Sequence, residues 1–217
     1  MTRSECRLLC AAEEKAFYGG KGSTHLNGRW FSDSLPWDFQ QMLRSRLTGQ
    51  SVFRDWGGGS VSFLFSLDPP PGCPFYGEEG EGTPAILRQR FKPYGVEVRQ
   101  VVDQKDLPFS DGKFDLVYTR NGRFDPSEVC RVLKKGGYFL TQQSGGIDGR
   151  FNGKLFPGWK ETAGEDNLNS AITRLEDAGF LVLKGQEARP EIRFRDVGAL
   201  AYWIHAAGWQ PLGFSVG

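Results

Sequence analysis

The segment Asp106-Leu107-Pro108-Phe109-Ser110-Asp111-Gly112-Lys113-Phe114-Asp115-Leu116-Val117 is the most specific stretch of this sequence. An acidic-Leu-Pro-Phe turn and a second, polar turn lead into an apolar run that is typical of a buried strand. We expect Asp106 to accept a hydrogen bond from an exocyclic amine, and Leu107 and Phe109 to offer apolar faces to a base. The alternative is a strand connection that binds no ligand.

Outward from this segment, short apolar runs alternate with helix-like segments from residue 51 to about residue 207. The predicted strands span residues 51–53, 74–76, 96–101, 114–118, 138–141 and 180–183. The predicted helices span residues 37–47, 61–67, 84–91, 126–133, 167–178 and 196–207. This alternation predicts an α/β fold, with a doubly wound, mostly parallel sheet and helices on both of its faces.

The N-terminal residues precede this alternation. Residues 4–18 have helical spacing, with Ser4 as the expected N-cap and Gly19-Gly20 as the stop, and residues 19–33 are expected to form a loop. We therefore predict an N-terminal helix and loop over residues 1–34, which could act as a lid. Residues 35–217 are expected to form the main domain.

The charges are nearly balanced, with 27 Lys and Arg against 26 Asp and Glu, a net charge of +1. This balance disfavours nucleic acid as a partner. No apolar run is long enough to span a membrane, and the N-terminus lacks a signal-peptide pattern, so we expect a soluble, cytoplasmic protein. The four cysteines and two histidines show no zinc-site spacing, and no metal is expected.

Ligands of doubly wound sheets bind beyond the carboxyl ends of the strands, near the switch in strand order. The first candidate there is Asp55-Trp56-Gly57-Gly58-Gly59-Ser60, because glycines allow the backbone to approach a ligand closely. The second is Glu79, with Gly80 beside it, 24 residues after Asp55. A carboxylate at this spacing can accept hydrogen bonds from both hydroxyls of a ribose. A flexible turn and a solvated acidic loop are the alternatives.

The run from Asp106 to Gly146, including Arg131-Val132-Leu133-Lys134-Lys135-Gly136-Gly137-Tyr138-Phe139-Leu140, resembles the second half of a class I S-adenosylmethionine-dependent methyltransferase of the small bacterial type. Residues 141–143 and 191–200 resemble an uncharacterised subgroup of that superfamily. The resemblance covers roughly residues 35–216, and it implies a Rossmann-like sheet that binds S-adenosylmethionine.

The same resemblance assigns roles to individual residues. It implies that the cofactor lies across Asp55, Gly57, Gly58 and Gly59. It further places the ribose near Glu79 and Gly80, and the adenine near Asp106 and Leu107. Arg120 and Asn121 would face the methionine end of the cofactor or the substrate. Gln142, Gln143 and Trp30 are candidates for contacts with the methyl acceptor, and no catalytic residue is identified.

The sequence departs from the family pattern in three places. The glycine loop is shorter than usual and holds the bulky Trp56, and Asn121 stands where the subgroup tends to have histidine. No strand-like run remains after the last predicted helix, so the usual C-terminal hairpin strand is expected to be missing. An open sheet edge of this kind would favour a homodimer.

Three functions are compatible with these observations. The first is methyl transfer to a small-molecule acceptor. The alternative is a methyltransferase-fold protein with impaired or lost cofactor binding, serving as a binding or partner subunit. An RNA methyltransferase is disfavoured by the balanced charge and by the lack of a basic appendage.

Overall fold

The computed structural model describes residues 2–47, 53–55, 63, 66–68, 75–79, 96–100, 103–145 and 167–206. Contacts divide them into two compact units. One unit contains residues 2–36 and 187–206, and the other contains residues 37–145 and 167–186 among those described.

The helices, in chain order, are α1 (Arg3–Tyr18), α2 (Phe39–Arg44), α3 (Pro126–Val132), α4 (Leu168–Asp177) and α5 (Val197–Ala206), with a short 3₁₀ helix at Ser23–Leu26. The strands are β1 (Trp30–Ser32), β2 (Phe53–Asp55), β3 (Phe75–Glu79), β4 (Val96–Gln100), β5 (Phe114–Arg120), β6 (Leu133–Gln142) and β7 (Ile192–Phe194). None of the helices among the described residues is long and apolar enough to cross a bilayer.

The larger unit is built on a five-stranded parallel sheet in the order β4-β3-β2-β5-β6. The first and fourth strands of the sheet along the chain are therefore neighbours at its centre. This is the arrangement of a doubly wound fold, and the order of connection reverses between β2 and β5. The predicted α/β class with a parallel sheet is confirmed.

Strand β5 separates two apolar clusters because its side chains alternate between the faces of the sheet. Leu116 and Tyr118 pack on one face in a cluster with Phe39, Leu43, Leu67 and Leu140. Val117 packs on the other face in a cluster with Leu107, Phe109, Phe114, Val129, Val132 and Leu133. Phe114 joins this cluster because an irregularity in the strand pairing between Phe114 and Leu116 interrupts the alternation. Helix α2 thus covers one face and α3 the other, as the sequence predicted.

The turn before β5 is held to α3 by the guanidinium of Arg131. Its Nη1 donates to the carbonyl oxygen of Phe109 at 2.8 Å and to Oδ1 of Asp111 at 2.7 Å, and its Nη2 donates to the carbonyl of Leu107 at 3.2 Å. Nε and Nη2 also donate to the two carboxylate oxygens of Glu128, at 2.7 and 2.8 Å. The Glu128 carboxylate in turn accepts the N–H of Leu107 at 2.9 Å. The hydrogen bonds from Arg131 hold the pKa of Glu128 below its usual value.

Within the smaller unit, a second ionic cluster links α1, the residues before β1, and the start of α5. Arg29 donates to both oxygens of Asp196, at 2.7 and 3.2 Å, and to Glu13 at 2.8 Å. Nε2 of His25 lies 2.6 Å from the second carboxylate oxygen of Glu13. The Asp196 carboxylate also accepts the N–H of Ala199 at 2.7 Å, at the start of α5. Burial works against ionisation of Glu13, but the hydrogen bonds from Arg29 and His25 outweigh it and lower the pKa of this carboxyl.

Three local predictions are corrected. Helix α1 begins after Thr2, which forms a capping box with Glu5, rather than after Ser4. The predicted strand at residues 180–183 is absent from the described residues 178–191: Phe180 packs against the core cluster of Val117, and Leu181 and Leu183 are 83% and 68% exposed, but the segment pairs with no strand among the described residues. The strand in this region is β7, which pairs antiparallel with β1 in a segment predicted as a loop.

The predicted boundary at residue 34 also differs from the division by contacts. Residues 187–206 group with the N-terminal segment, because β7 pairs with β1 and α5 packs against α1. A lid role for residues 1–34 stays a prediction. The predicted absence of a C-terminal hairpin strand concerns residues 207–217, which lie outside the described residues.

Substitution of Arg131 by methionine should destabilise the larger unit. The Arg131→Met side chain keeps an apolar stem but leaves the Glu128 carboxylate, whose side chain is 14% exposed, without its cation. We expect a loss of about 2 to 4 kcal/mol in the free energy of unfolding, measured by urea denaturation. Arg189→Met is the control, because that side chain is 74% exposed. Equal stability of the two variants would contradict the role given to Arg131.

Acid should weaken the smaller unit through Glu13. Because the folded pKa of Glu13 lies below the ordinary value of 4.5, the stability from its carboxylate is present above that value and is lost as the pH falls through the folded pKa. The Glu13→Gln variant should therefore lose less stability than the wild type between about pH 5 and about pH 3. Denaturation curves at several pH values measure how the free energy of unfolding changes with pH, with Glu187→Gln as an exposed control. The same pH dependence in the wild type and in Glu13→Gln would refute the role given to Glu13.

Candidate functional site

The carboxyl ends of the parallel strands bring four of the predicted site residues to one edge of the sheet. Asp55 ends β2, Glu79 ends β3, Arg120 ends β5 and Gln142 ends β6. The pairing of Asp55 with Tyr118 means that β5 extends two residues beyond the end of β2. This edge includes the point between β2 and β5 where the strand order switches, which is where doubly wound folds bind ligands.

Some predicted cofactor residues cannot be placed further. Gly57, Gly58, Gly59 and Gly80 lie outside the described residues, and of Asp55 and Glu79 the structure describes the backbone. The two carboxylate-bearing residues nevertheless end adjacent strands, since β2 pairs directly with β3. Their assignment to the cofactor stays a prediction, now with the position at the sheet edge that this role requires.

The turn from Asp106 to Phe109 is placed beside β5, but its apolar side chains point inward. Leu107 and Phe109 are 3% and 6% exposed and belong to the core, and the N–H of Leu107 is bonded to Glu128. The expectation that these two side chains offer apolar faces to a base is therefore corrected. Asp106 is exposed, and its backbone bridges to Asp103, so its carboxylate remains a candidate for a hydrogen bond to an exocyclic amine.

Arg120 is the strongest candidate for ligand binding among the described residues. Its guanidinium carbon lies 4.5 Å from the centre of the Phe63 ring, a cation–π contact. Its Nε is buried and makes no hydrogen bond. Within the described part of the chain, no carboxylate pairs with this cation. A largely buried guanidinium in this state can receive an anionic or hydrogen-bond-accepting ligand group.

Asn121, directly after Arg120, has a backbone conformation that non-glycine residues seldom adopt. Its φ is 55°, in the left-handed region that asparagine enters more readily than most residues. Its N–H donates to the carbonyl of Gln142 at 2.9 Å, and its side-chain Oδ1 accepts from Ser144 at 3.4 Å. The chain therefore turns sharply away from β5 at the switch point, which leaves Arg120 at the end of the strand.

The predicted acceptor residues occupy different places. Gln142 accepts a hydrogen bond on Oε1 from the indole nitrogen of Trp37 at 3.0 Å, at the same sheet edge as Arg120. Gln143 is exposed and donates to Thr141 Oγ1 at 2.8 Å and to the Gly122 carbonyl at 3.3 Å. Trp30 belongs to β1 in the smaller unit and is 37% exposed. Its contact with an acceptor stays a prediction.

Phe63 is the site residue that sequence reasoning missed. It falls in the helix-like segment after the glycine loop, where an aromatic residue is usually a core residue. The sequence carries no signal for its contact with Arg120, because 57 positions separate the two residues and the sheet brings them together.

Among the described residues, no group of three His, Cys, Asp or Glu side chains could hold a metal ion.

Several solved structures share the fold of this chain. No family model matches the sequence, and no curated protein shows detectable similarity to it. A proposed methyltransferase from Bacillus halodurans aligns with a TM-score of 0.50 at 22% identity, over 66% of this chain and 68% of its own. The YcgJ protein from Bacillus subtilis aligns with a TM-score of 0.50 at 18% identity, over 64% of this chain and 67% of its own. The cyclase SpnF aligns with a TM-score of 0.51 at 18% identity, over 81% of this chain and 70% of its own. The chain has the Rossmann-like fold of class I S-adenosylmethionine-dependent methyltransferases.

Proposed function

We propose that this chain binds S-adenosylmethionine at the carboxyl edge of its sheet and transfers the methyl group to a small-molecule acceptor. The observation that carries the proposal is the Arg120 guanidinium at the switch point, with a buried Nε that makes no hydrogen bond. A protein retains such a cation at a cost in stability unless a ligand uses it.

The residues at the edge fit the chemical groups of the cofactor. Asp55 and Glu79 end adjacent strands at this edge, and the proposal assigns the hydroxyl groups of the ribose to Glu79. The exposed carboxylate of Asp106 can accept from the exocyclic amine of the adenine. Arg120 and Asn121 lie where the methionine end or the acceptor would reach the sheet.

The cofactor, when bound, supplies a methyl group already activated by a sulfonium. The protein then has two tasks, which are to align the acceptor for in-line attack and to exclude water. Arg120 and Gln142 can orient a polar acceptor, and the rings of Trp37 and Phe63 provide apolar surface beside them. A general base is needed only for an acceptor that must lose a proton, and we assign no residue to this task.

The alternative is a protein of this fold that no longer binds cofactor. The short glycine loop with Trp56 is the sequence feature that favours it. A fold by itself does not establish a reaction, and the structural neighbours include a protein named as a cyclase. Cofactor binding therefore has to be measured directly.

Calorimetric titration with S-adenosylhomocysteine tests the proposal. We expect binding in the micromolar range for the wild type. Glu79→Ala and Asp106→Ala should each weaken it by about tenfold, because each removes a charge-assisted hydrogen bond of roughly 1.5 kcal/mol or more. Glu176→Ala, an exposed carboxylate on α4, is the matched control and should bind as the wild type does.

The outcomes separate the two functions. An absence of heat at ligand concentrations far above the micromolar range would favour the partner-subunit alternative. Binding that is unchanged in both Glu79→Ala and Asp106→Ala would show that the cofactor lies elsewhere. Retention on RNA that decreases with salt would instead support a nucleic-acid substrate.

A further inference from the structure

The ends of β5 and β6 bring two polar side chains and two aromatic rings together on one face of the sheet. Arg120 pairs in register with Gln142, so both side chains project to the same face. Tyr118 and Leu140, two positions earlier on each strand, pack in the cluster with Phe39 of α2, which identifies this face. We call the set Trp37, Phe63, Arg120 and Gln142 the donor corner; each of its four side chains is partly exposed.

The donor corner presents hydrogen-bond donors only. The indole N–H of Trp37 can donate but not accept, so the Gln142 amide must turn its oxygen toward Trp37. The NH₂ of Gln142 then faces away from Trp37, and the guanidinium of Arg120 adds further donors. The buried Nε of Arg120 makes no hydrogen bond, and the described hydrogen bond of the Gln142 side chain uses its oxygen. The corner is thus matched to a ligand group that carries negative charge and accepts several hydrogen bonds.

The donor corner and the predicted ribose residue Glu79 lie on different strands of the same sheet edge. Asp55 and Glu79 end β2 and β3, on one side of the switch point, whereas Arg120 and Gln142 end β5 and β6 on the other. The Asp106 turn lies with Leu107 and Phe109, whose cluster covers the opposite face of β5. A ligand group in the corner is therefore separated from Glu79 by strand β2 and from the Asp106 turn by the sheet, whereas Asp55, which pairs with Tyr118, ends the neighbouring strand.

We propose that the donor corner binds the carboxylate of the methyl acceptor, whose apolar body lies against Trp37 and Phe63. The guanidinium of Arg120 pairs with the carboxylate, and the NH₂ of Gln142 donates to it. The substrate class is thus a small carboxylic acid with an apolar or aromatic body. This assignment rests on the proposed function for the identity of the reaction, but the anion site itself can be tested without cofactor.

Benzoate and its neutral counterpart benzamide are suitable probes, because they share a ring and differ in charge. Binding to the full chain without cofactor is followed by NMR at the indole N–H of Trp37, assigned with Trp37→Phe. Benzoate should shift this resonance and benzamide should not. Arg120→Met should weaken benzoate binding by roughly ten- to a hundredfold. A wild type that does not bind benzoate, or that binds benzamide equally well, overturns the proposal.

A second variant guards against misfolding of Arg120→Met. Gln142→Glu keeps the size of the side chain and the acceptor for Trp37, but it places a carboxylate beside Arg120 and should also abolish benzoate binding. Unchanged circular dichroism of both variants establishes that they are folded. Benzoate binding retained by folded Gln142→Glu contradicts the proposal.

A third experiment distinguishes binding of the acceptor's carboxylate from binding of the cofactor's carboxylate. S-adenosylhomocysteine carries an amino-acid arm, and methylthioadenosine lacks it. If Arg120→Met binds both as the wild type does, the corner serves the acceptor. If this variant loses affinity for S-adenosylhomocysteine alone, Arg120 holds the cofactor instead and the proposal is wrong. Failure of the wild type to bind either nucleoside would refute the proposed function, while the benzoate result would still decide the anion site.

Discussion

The hydrogen bonds of Arg131 fix the position of β5, which lies next to the central strand of the sheet. One guanidinium contacts the carbonyl oxygens of Leu107 and Phe109 and the carboxylates of Asp111 and Glu128. The turn before β5 is therefore bound to α3, the helix that follows β5 after residues 121–125. Since β5 borders both β2 and β6, its register governs which side chains reach the carboxyl edge.

The alternation of β5 then determines the chemistry of that edge. Val117 faces the cluster that contains the Asp106 turn, whereas Tyr118 and Arg120 face the cluster of α2. A shift of one residue in this strand would move the guanidinium to the other face. Arg120 could then no longer stack on Phe63 or lie beside Gln142. The apolar core and the candidate anion site thus depend on the same register.

Sequence patterns predicted the elements that depend on local interactions. The predicted helices over residues 126–133 and 167–178 correspond to α3 and α4, whose N-caps are Asp125 and Asn167. Local patterns did not indicate the role of Glu128, whose carboxylate binds Arg131 and the distant N–H of Leu107. The predicted N-cap at Ser4 was wrong because Thr2 and Glu5 form the capping box that begins α1.

By itself, the sequence determined the α/β class and the order of the sheet's strands along the chain, whereas the roles of the site residues stay predictions that rest largely on the family resemblance. The class and the strand order follow from hydrophobic periodicity and turn chemistry, which act over a few residues. Only the tertiary structure decided the pairing of β1 with β7, the inward orientation of Leu107, and the contact of Phe63 with Arg120. Those contacts join residues that are far apart in the chain, and side chains find such partners only when the sheet and its packed helices bring them together.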